Sequence, residues 1–367
     1  MTATALLSIA GQSIWVDNIT RSMLEKGQLK KYIDTYSVVG LTSNPTIFEK
    51  AITGSNDYDP QIRELLSKGI DGEKLFFELA ITDLTKAADL FKPIHALTGG
   101  VDGWVSLEVS PLLARDAKTT IDQAVTLHAK ANRPNLFIKV PGTAEGLPAI
   151  EELTYRGISV NVTLLFSPKQ YLAAADAYLK GLERRMKEGK SVTVESVASM
   201  FVSRWDKKTA ATLPENLKNT AGIAVAQVCY KEYCALYASD RFLKLQAAGA
   251  RPQRFLFAST STKDPKLADI MYVKALAAAR TVNTMPESTL NDFFNHGSLD
   301  GVLRTDGGTG PATVAALEKA GCVIEKVGNE LQVEGAASFV ASWTELMASI
   351  QSKSAAMAHY LQVGLLA

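Results

Sequence analysis

Only three cysteines and four histidines occur among the 367 residues. Cys229, Cys234 and Cys322 cannot all pair, and Cys229 and Cys234 fall in the helical-looking stretch "AGIAVAQVCYKEYCALYASDRFLKL". They read as reduced packing residues rather than as a disulfide framework. His95, His128, His296 and His359 are scattered without metal-ligand spacing, which argues against a structural or catalytic metal. No sign of charge dominates: Lys+Arg 39 against Asp+Glu 38 leaves a net +1. With no basic surplus and no polybasic block, neither nucleic acid nor an anionic membrane is the expected partner. No uninterrupted apolar run reaches membrane-spanning length. The start "MTATALLSIAGQS" lacks basic residues ahead of its short apolar run and makes a poor signal peptide. Interior linkers, repeats and low-complexity tracts are also missing, and the expected location is the cytoplasm.

What is present is an ordinary soluble composition, 47% hydrophobic and 21% charged. Short β-rich runs recur: "IWVDN" (14–18), "SVVGLTS" (37–43), "GWVSLEV" (103–109), "LFIKV" (136–140), "SVNVTLL" (159–165), "VASMFVS" (197–203), "RFLFAST" (254–260) and "ARTVNTM" (279–285). Most are continuously apolar, as strands of a parallel sheet covered on both faces should be. Between them lie helical segments. "RELLSKGIDGEKLFFELAITDLTKAADLFKPIH" is expected to stop at Pro93, and Ser167-Pro168 offers a cap and first-turn pair for the helix that ends near Gly189. Eight strand–helix units predict a (β/α)8 TIM barrel. An open doubly wound sheet would need a glycine-rich turn after an early strand, and none is present. The chain is expected to form a single barrel domain over 1–367. Residues 300–367 are its helical C-terminal extension, packed on the barrel.

In such barrels the active site lies at the C-terminal strand ends. The runs close on Asp17 and Asn18, then Thr42-Ser43-Asn44-Pro45, then Glu108, then Lys139, then Asn161 and Thr163, then Ser199, Ser203 and Arg204. This is too polar a set for a core plug unless the groups have partners or a ligand. Lys139, inside "PNLFIKVPG", is the sharpest candidate. An amine among apolar walls loses proton affinity and can attack a ketone to form a Schiff base. The competing interpretation is a lysine that snorkels to the rim or pairs with Glu108.

The other residues carry paired readings too. Asp17 is a base for a substrate hydroxyl or a turn former. Glu108 with Thr163 relays protons for a water, or Glu108 merely pairs with Lys139. Asn161 and Thr163, two apart, share one strand face. Asn44 binds a hydroxyl or fastens a turn before Pro45. Arg204 suits a phosphate or a carboxylate, with Ser199 and Ser203 as further donors, or it forms a surface ion pair with Asp206. "DGGTGP" before a helix matches no complete phosphate loop and reads mostly as a turn.

Taken together, "WVDN", "GLTSNPTIFEKAI", "SLEVSP", "FIKVPGT" followed by "EGLPAIEEL", "GISVNVTLLFS" and "NTMPESTL" resemble the transaldolase family in order and spacing over nearly the whole chain. The longer bacterial members with an extended C-terminal part are the most similar. The resemblance implies a cofactor-free, metal-free class I enzyme of the pentose phosphate pathway on a circularly permuted barrel. It would move a dihydroxyacetone unit from sedoheptulose 7-phosphate to glyceraldehyde 3-phosphate, giving erythrose 4-phosphate and fructose 6-phosphate. By the family pattern Lys139 forms the Schiff base, Asp17 is the acid/base, and Glu108 and Thr163 handle water. Asn44, Asn161 and Ser199 bind substrate oxygens and Arg204 the phosphate. A second arginine that many members carry after the seventh strand is missing from "FASTSTKDPKL". Lys263 is the nearest cation and is assigned in its place, with Ser259 and Ser261 as nearby donors. The resemblance leaves a monomer or a homodimer open. Two rivals stay open on the sequence: an aldolase releasing dihydroxyacetone or its phosphate, and a barrel that binds sugar phosphates without catalysis.

Overall fold

The computed structural model describes residues 1–262 and 264–364. Eight strands, β1 (Gln12–Asp17), β2 (Val38–Thr42), β3 (Trp104–Glu108), β4 (Leu136–Pro141), β5 (Val160–Leu165), β6 (Ser196–Phe201), β7 (Arg254–Ala258) and β8 (Thr281–Met285), close into a barrel in sequence order. Every neighbouring pair is parallel, including β8 with β1. All eight β-rich runs are therefore strands, and the continuity of most of them has the expected cause: β4, β5 and β6 are buried at every position.

The register, more than the fold as such, positions chemistry. Glu108 on β3 lies beside Lys139 on β4, and Lys139 beside Asn161 on β5. Pro141 is level with Thr163, and Asp17 on β1 with Thr42 on β2. Because side chains alternate along a strand, residues level with one another share a face. Close backbone contact is also needed on β2: a Cβ at Gly40 would stand 2.6 Å from the Trp15 ring and 2.8 Å from Trp104 O.

The helices follow local signals with two exceptions. Ser167 caps Pro168–Lys187 as expected, its hydroxyl accepting from Gln170 N at 3.3 Å. Pro93 does not end its helix, which runs from Gly72 to Leu97. The carbonyl that proline leaves unpaired, four residues back at Asp89, belongs to an exposed residue where water can take it, while the opposite face buries Leu84, Ala87, Ala88 and Phe91 completely. Tertiary burial outweighs the local breaker. The stretch holding Cys229 and Cys234 splits into Ala221–Leu236 and Asp240–Ala247, with Ser239 capping the second part. All three thiols are free, and Cys229 is buried with its Sγ 3.9 Å from Met200 Sδ.

The C-terminal part packs across the strand ends. After the helix Gly310–Lys319, one helix runs from Ile324 to Gly364 and crosses the C-terminal end of the barrel. Gln332 Nε2 donates to Gly142 O at 3.0 Å and to Leu164 O at 2.9 Å. Trp343 meets the Phe76 ring edge-on, centroids 5.1 Å apart, and Thr46 Oγ1 bonds Ser342 Oγ at 2.8 Å. The "DGGTGP" loop is a turn: Asp306 Oδ1 accepts from Gly308 N at 2.9 Å, so the loop's own carboxylate takes that amide. Among the described residues, no helix is long and apolar enough to cross a membrane.

Candidate active site

A cavity of about 680 Å³ opens at the C-terminal ends of the strands. Of the nine residues singled out in the sequence, Asp17, Asn44, Lys139, Thr163, Ser199 and Arg204 line it. Glu108 and Asn161 stand behind that lining, and Lys263 lies outside the described residues.

Lys139 is 5% exposed, so its amine is held in the barrel rather than at the rim. Nζ lies 3.3 Å from Glu108 Oε2 and 3.3 Å from Ser43 O. Of the two suggestions for Glu108, the pairing with Lys139 forms, and it holds the carboxyl beside the amine. Burial pushes the Glu108 carboxyl above the usual carboxylate range; the Lys139 charge pulls it back, and Asp17 adds to the rise. Such a carboxyl sits poised to trade a proton with a neighbour.

Thr163 Oγ1 is buried with no hydrogen-bond partner among the described residues. A buried hydroxyl in a polar cavity wants a water or a ligand oxygen. Asn161 is fully buried and engaged: its Nδ2 donates to Ser106 Oγ at 3.1 Å and its Oδ1 accepts from Ser199 Oγ at 2.7 Å. That pairing fixes the amide orientation and carries the row out to Ser199, which does face the cavity. Asn44 also has two duties. Its Oδ1 accepts from Ile47 N at 3.1 Å to cap the helix Pro45–Gly54, leaving the NH2 for the cavity.

Asp17 sits opposite, at the end of β1. Its Oδ1 accepts from Thr42 Oγ1 at 2.8 Å, and Thr42 Oγ1 is 2.7 Å from Thr284 Oγ1 on β8. Thr284 lines the cavity too, although it is not among the strand-end residues picked out from the sequence. The signal was legible, since polar residues close the eighth run as they close the others.

The ion pair of Arg204 with Asp206 does not form. Asp206 is buried the other way, accepting from Gly222 N at 3.0 Å and from Tyr272 Oη at 2.7 Å. Arg204 makes no ion pair within 4 Å to a described carboxylate, and its guanidinium stands over the Phe201 ring, 5.5 Å from the centroid. Burial draws its pKa down and Glu334 partly offsets this, but an arginine stays charged at any working pH. An unpaired, half-buried guanidinium at a cavity wall suits a phosphate. Ser203 and Ser259, whose hydroxyls are 2.8 Å apart, and Ser261 line the same side. Ser259 holds φ +57°, an uncommon angle for serine that turns the chain just past β7.

The helix Ile324–Gly364 brings Ser338 and Phe339 to the cavity. Nothing in the local sequence pointed to them. Elsewhere, Asp269, Asp292 and His296 place ligand atoms within 4.8 Å of one another at the surface, a grouping the scattered histidines did not suggest. His296 and Asp269 already pair there at 3.1 Å.

A closed parallel barrel with a polar cavity at its strand ends, built around a buried amine and an unpaired guanidinium, is the architecture of a barrel enzyme acting on small anionic substrates. A family model described as transaldolase/fructose-6-phosphate aldolase matches residues 14–350. The chain is 46% identical over 354 residues to the transaldolase of Acidothermus cellulolyticus, covering 94% of this chain and 95% of that protein. It is 43% identical over 359 residues to the transaldolase of Thermobifida fusca, covering 95% and 98%. The match to the transaldolase of Mycobacterium bovis is 42% over 355 residues, covering 94% and 95%. The chain belongs to the transaldolase family and is a transferase with transaldolase function.

Proposed function

We propose that this chain moves a dihydroxyacetone unit from sedoheptulose 7-phosphate to glyceraldehyde 3-phosphate through a Schiff base on Lys139. The observation that carries the residue assignment is the buried row Glu108–Lys139–Asn161, level across three strands, with an unsatisfied Thr163 hydroxyl above it. Lys139 Nζ adds to the donor's ketone and water leaves, giving an iminium. Glu108 and Thr163 carry the protons to and from that water. Asp17 takes the proton of the hydroxyl next to the scissile bond. The carbon–carbon bond breaks, its electron pair enters the iminium as an enamine, and erythrose 4-phosphate departs. The enamine carbon then attacks the acceptor aldehyde, Asp17 returns the proton, and water releases fructose 6-phosphate.

Asn44 and Ser199, steadied by Asn161, bind the sugar oxygens in this scheme, and Arg204 takes the phosphate with Lys263 as a second cation. A cytoplasmic location fits the three free thiols, and the enzyme would act as a monomer or a homodimer. The same proposal treats the chain as one barrel domain with residues 300–367 as its extension. The aldolase rival keeps some footing because the matching family description includes fructose-6-phosphate aldolase. Relatives named transaldolase at 42–46% identity favour transfer.

Borohydride reduction in the presence of fructose 6-phosphate tests the proposal. A mass increment on Lys139 for one reduced three- or six-carbon unit is expected. An unmodified Lys139 at saturating donor refutes the mechanism. Equal release of the three-carbon product with and without erythrose 4-phosphate refutes transfer.

A further inference from the structure

A transferase of this kind has to protect its own intermediate. After cleavage the three-carbon unit remains on Nζ as an enamine. Release needs a proton on the enamine carbon to restore the iminium, then addition of water across C=N and breakage of the C–N bond, giving dihydroxyacetone and the free amine. Transfer needs an aldehyde carbon to accept the enamine's electron pair, and it consumes no water until the new ketose leaves.

A ring of the C-terminal helix stands over the amine in the same cavity. Phe339, 8% exposed, places its centroid 5.6 Å from Lys139 Nζ. It packs edge-on against Phe201 at the end of β6, centroids 6.4 Å apart. Phe201 in turn lies beneath Arg204. The two rings form an apolar wall running from the amine to the guanidinium. The helix that carries Phe339 is held at one height by contacts specific to the strand ends. Gln332 is tied to Gly142 and Leu164, and a Cβ at Gly335 would meet Leu164 Cδ2 at 3.0 Å and Arg204 Nη1 at 3.2 Å. The helix therefore lies close against Leu164 and Arg204 at this point, one turn before Phe339.

We infer that Phe339 is a positioning residue that keeps water from the enzyme-bound three-carbon unit and so sets the balance between transfer and release. The assignment rests on the Schiff-base mechanism proposed above. The ring acts by filling the volume a second water would occupy.

The test compares the full-length enzyme with Phe339→Ala, Phe339→Tyr and Phe339→Leu. Two rates are read with fructose 6-phosphate as donor: free dihydroxyacetone formed without acceptor, and sedoheptulose 7-phosphate formed with erythrose 4-phosphate as acceptor. The ratio of release to transfer is expected to rise about tenfold in Phe339→Ala, to rise in Phe339→Tyr, which brings a hydroxyl beside the amine, and to stay within about twofold of wild type in Phe339→Leu. A loosened helix lowers both rates together, so a constant ratio overturns the assignment. A ratio in Phe339→Leu matching that in Phe339→Ala overturns it as well. Should Phe339→Ala not fold, the Tyr and Leu variants decide, since equal ratios there refute the role. Borohydride trapping on the same samples separates the two levels: no adduct on wild type refutes the mechanism itself, whereas an adduct with unchanged ratios refutes only the part given to Phe339.

Discussion

Glu108 and Lys139 face each other across β3 and β4 as a buried ion pair, Oε2 to Nζ 3.3 Å, with each side chain 6% exposed. Breaking such a pair by deleting one partner usually costs about 3–5 kcal/mol, because a lone charge is left in the interior. Here the survivor has an escape, since burial already pushes the Glu108 carboxyl up and it can take a proton. Lys139→Ala is therefore expected to abolish turnover and the borohydride adduct while the barrel still folds. Removing the lysine raises the Glu108 pKa further. A carboxyl raised in the fold contributes stability at low pH and loses it as pH rises through the folded value. The melting temperature of Lys139→Ala should accordingly fall relative to wild type as pH rises above the usual carboxylate range, and adding Glu108→Gln should remove that slope. Circular dichroism melts across the range check both, and an unfolded Lys139→Ala at pH 5 contradicts the expectation.

The raised Glu108 carboxyl also predicts a pH profile. Its ionised form is the one that accepts a proton during imine formation, so the rate should drop as pH falls through a midpoint above the usual carboxylate range. Glu108→Gln should slow imine formation about a hundredfold and abolish this acid limb. Single-turnover trapping at several pH values measures it; an unchanged limb assigns the titration to another group.

Thr163 supplies a hydroxyl with no described partner, so replacing it by valine keeps the shape and removes only the oxygen. Stability is expected to hold or rise slightly, because an unsatisfied buried hydroxyl is lost. Imine formation should fall about five- to tenfold, the equivalent of one hydrogen bond. Stopped-flow kinetics with donor alone give the rate, and no change would remove Thr163 from the water path.

Asp17 is anchored by Thr42, itself bonded to Thr284. Asp17→Asn preserves the size of the side chain and removes the base. The variant is expected to form the adduct with donor yet cleave it poorly, so that the six-carbon adduct accumulates. Intact-protein mass after borohydride distinguishes six carbons from three; a three-carbon adduct formed at the wild-type rate rules the role out.

Arg204 lacks a described carboxylate partner, so its loss strands no charge and should leave the fold unharmed. Hydrogen bonds to a charged group contribute about 1.5–3 kcal/mol, so Arg204→Ala should lower kcat/KM for a phosphorylated donor about ten- to a hundredfold. A donor without phosphate should react equally with both forms. A matching loss for the unphosphorylated donor would mean that Arg204 supports the cavity rather than the phosphate.

Much of the fold and of the candidate site is legible in the sequence. Short β-rich runs mark all eight strands, and most are continuously apolar because both faces of a parallel sheet are covered. The polar residues within or just past these runs mark the mouth, because the strand ends of such a barrel carry its cavity. Signals that depend on neighbours in sequence are also reliable, as at Ser167, whose cap needs nothing beyond the next turn. Pro93 fails as a stop signal, because the decision there rests on how much of the opposite helix face is buried. Arg204 with Asp206 fails for a related reason: two residues close in sequence turn to different sides of one short helix, and Tyr272 claims the carboxylate.

By itself the sequence determined the barrel, the lysine at the end of its fourth strand and the acid, amides and hydroxyls suited on chemical grounds to surround a ligand. Tertiary structure decided which of these touch. Strand register set Glu108 beside Lys139 and sent Asn161 behind Ser199, since pairing between strands fixes which positions are level. It also brought Phe339 to an amine 200 residues earlier in the chain, a contact that no local pattern encodes because it depends on where a long helix comes to rest across the finished barrel.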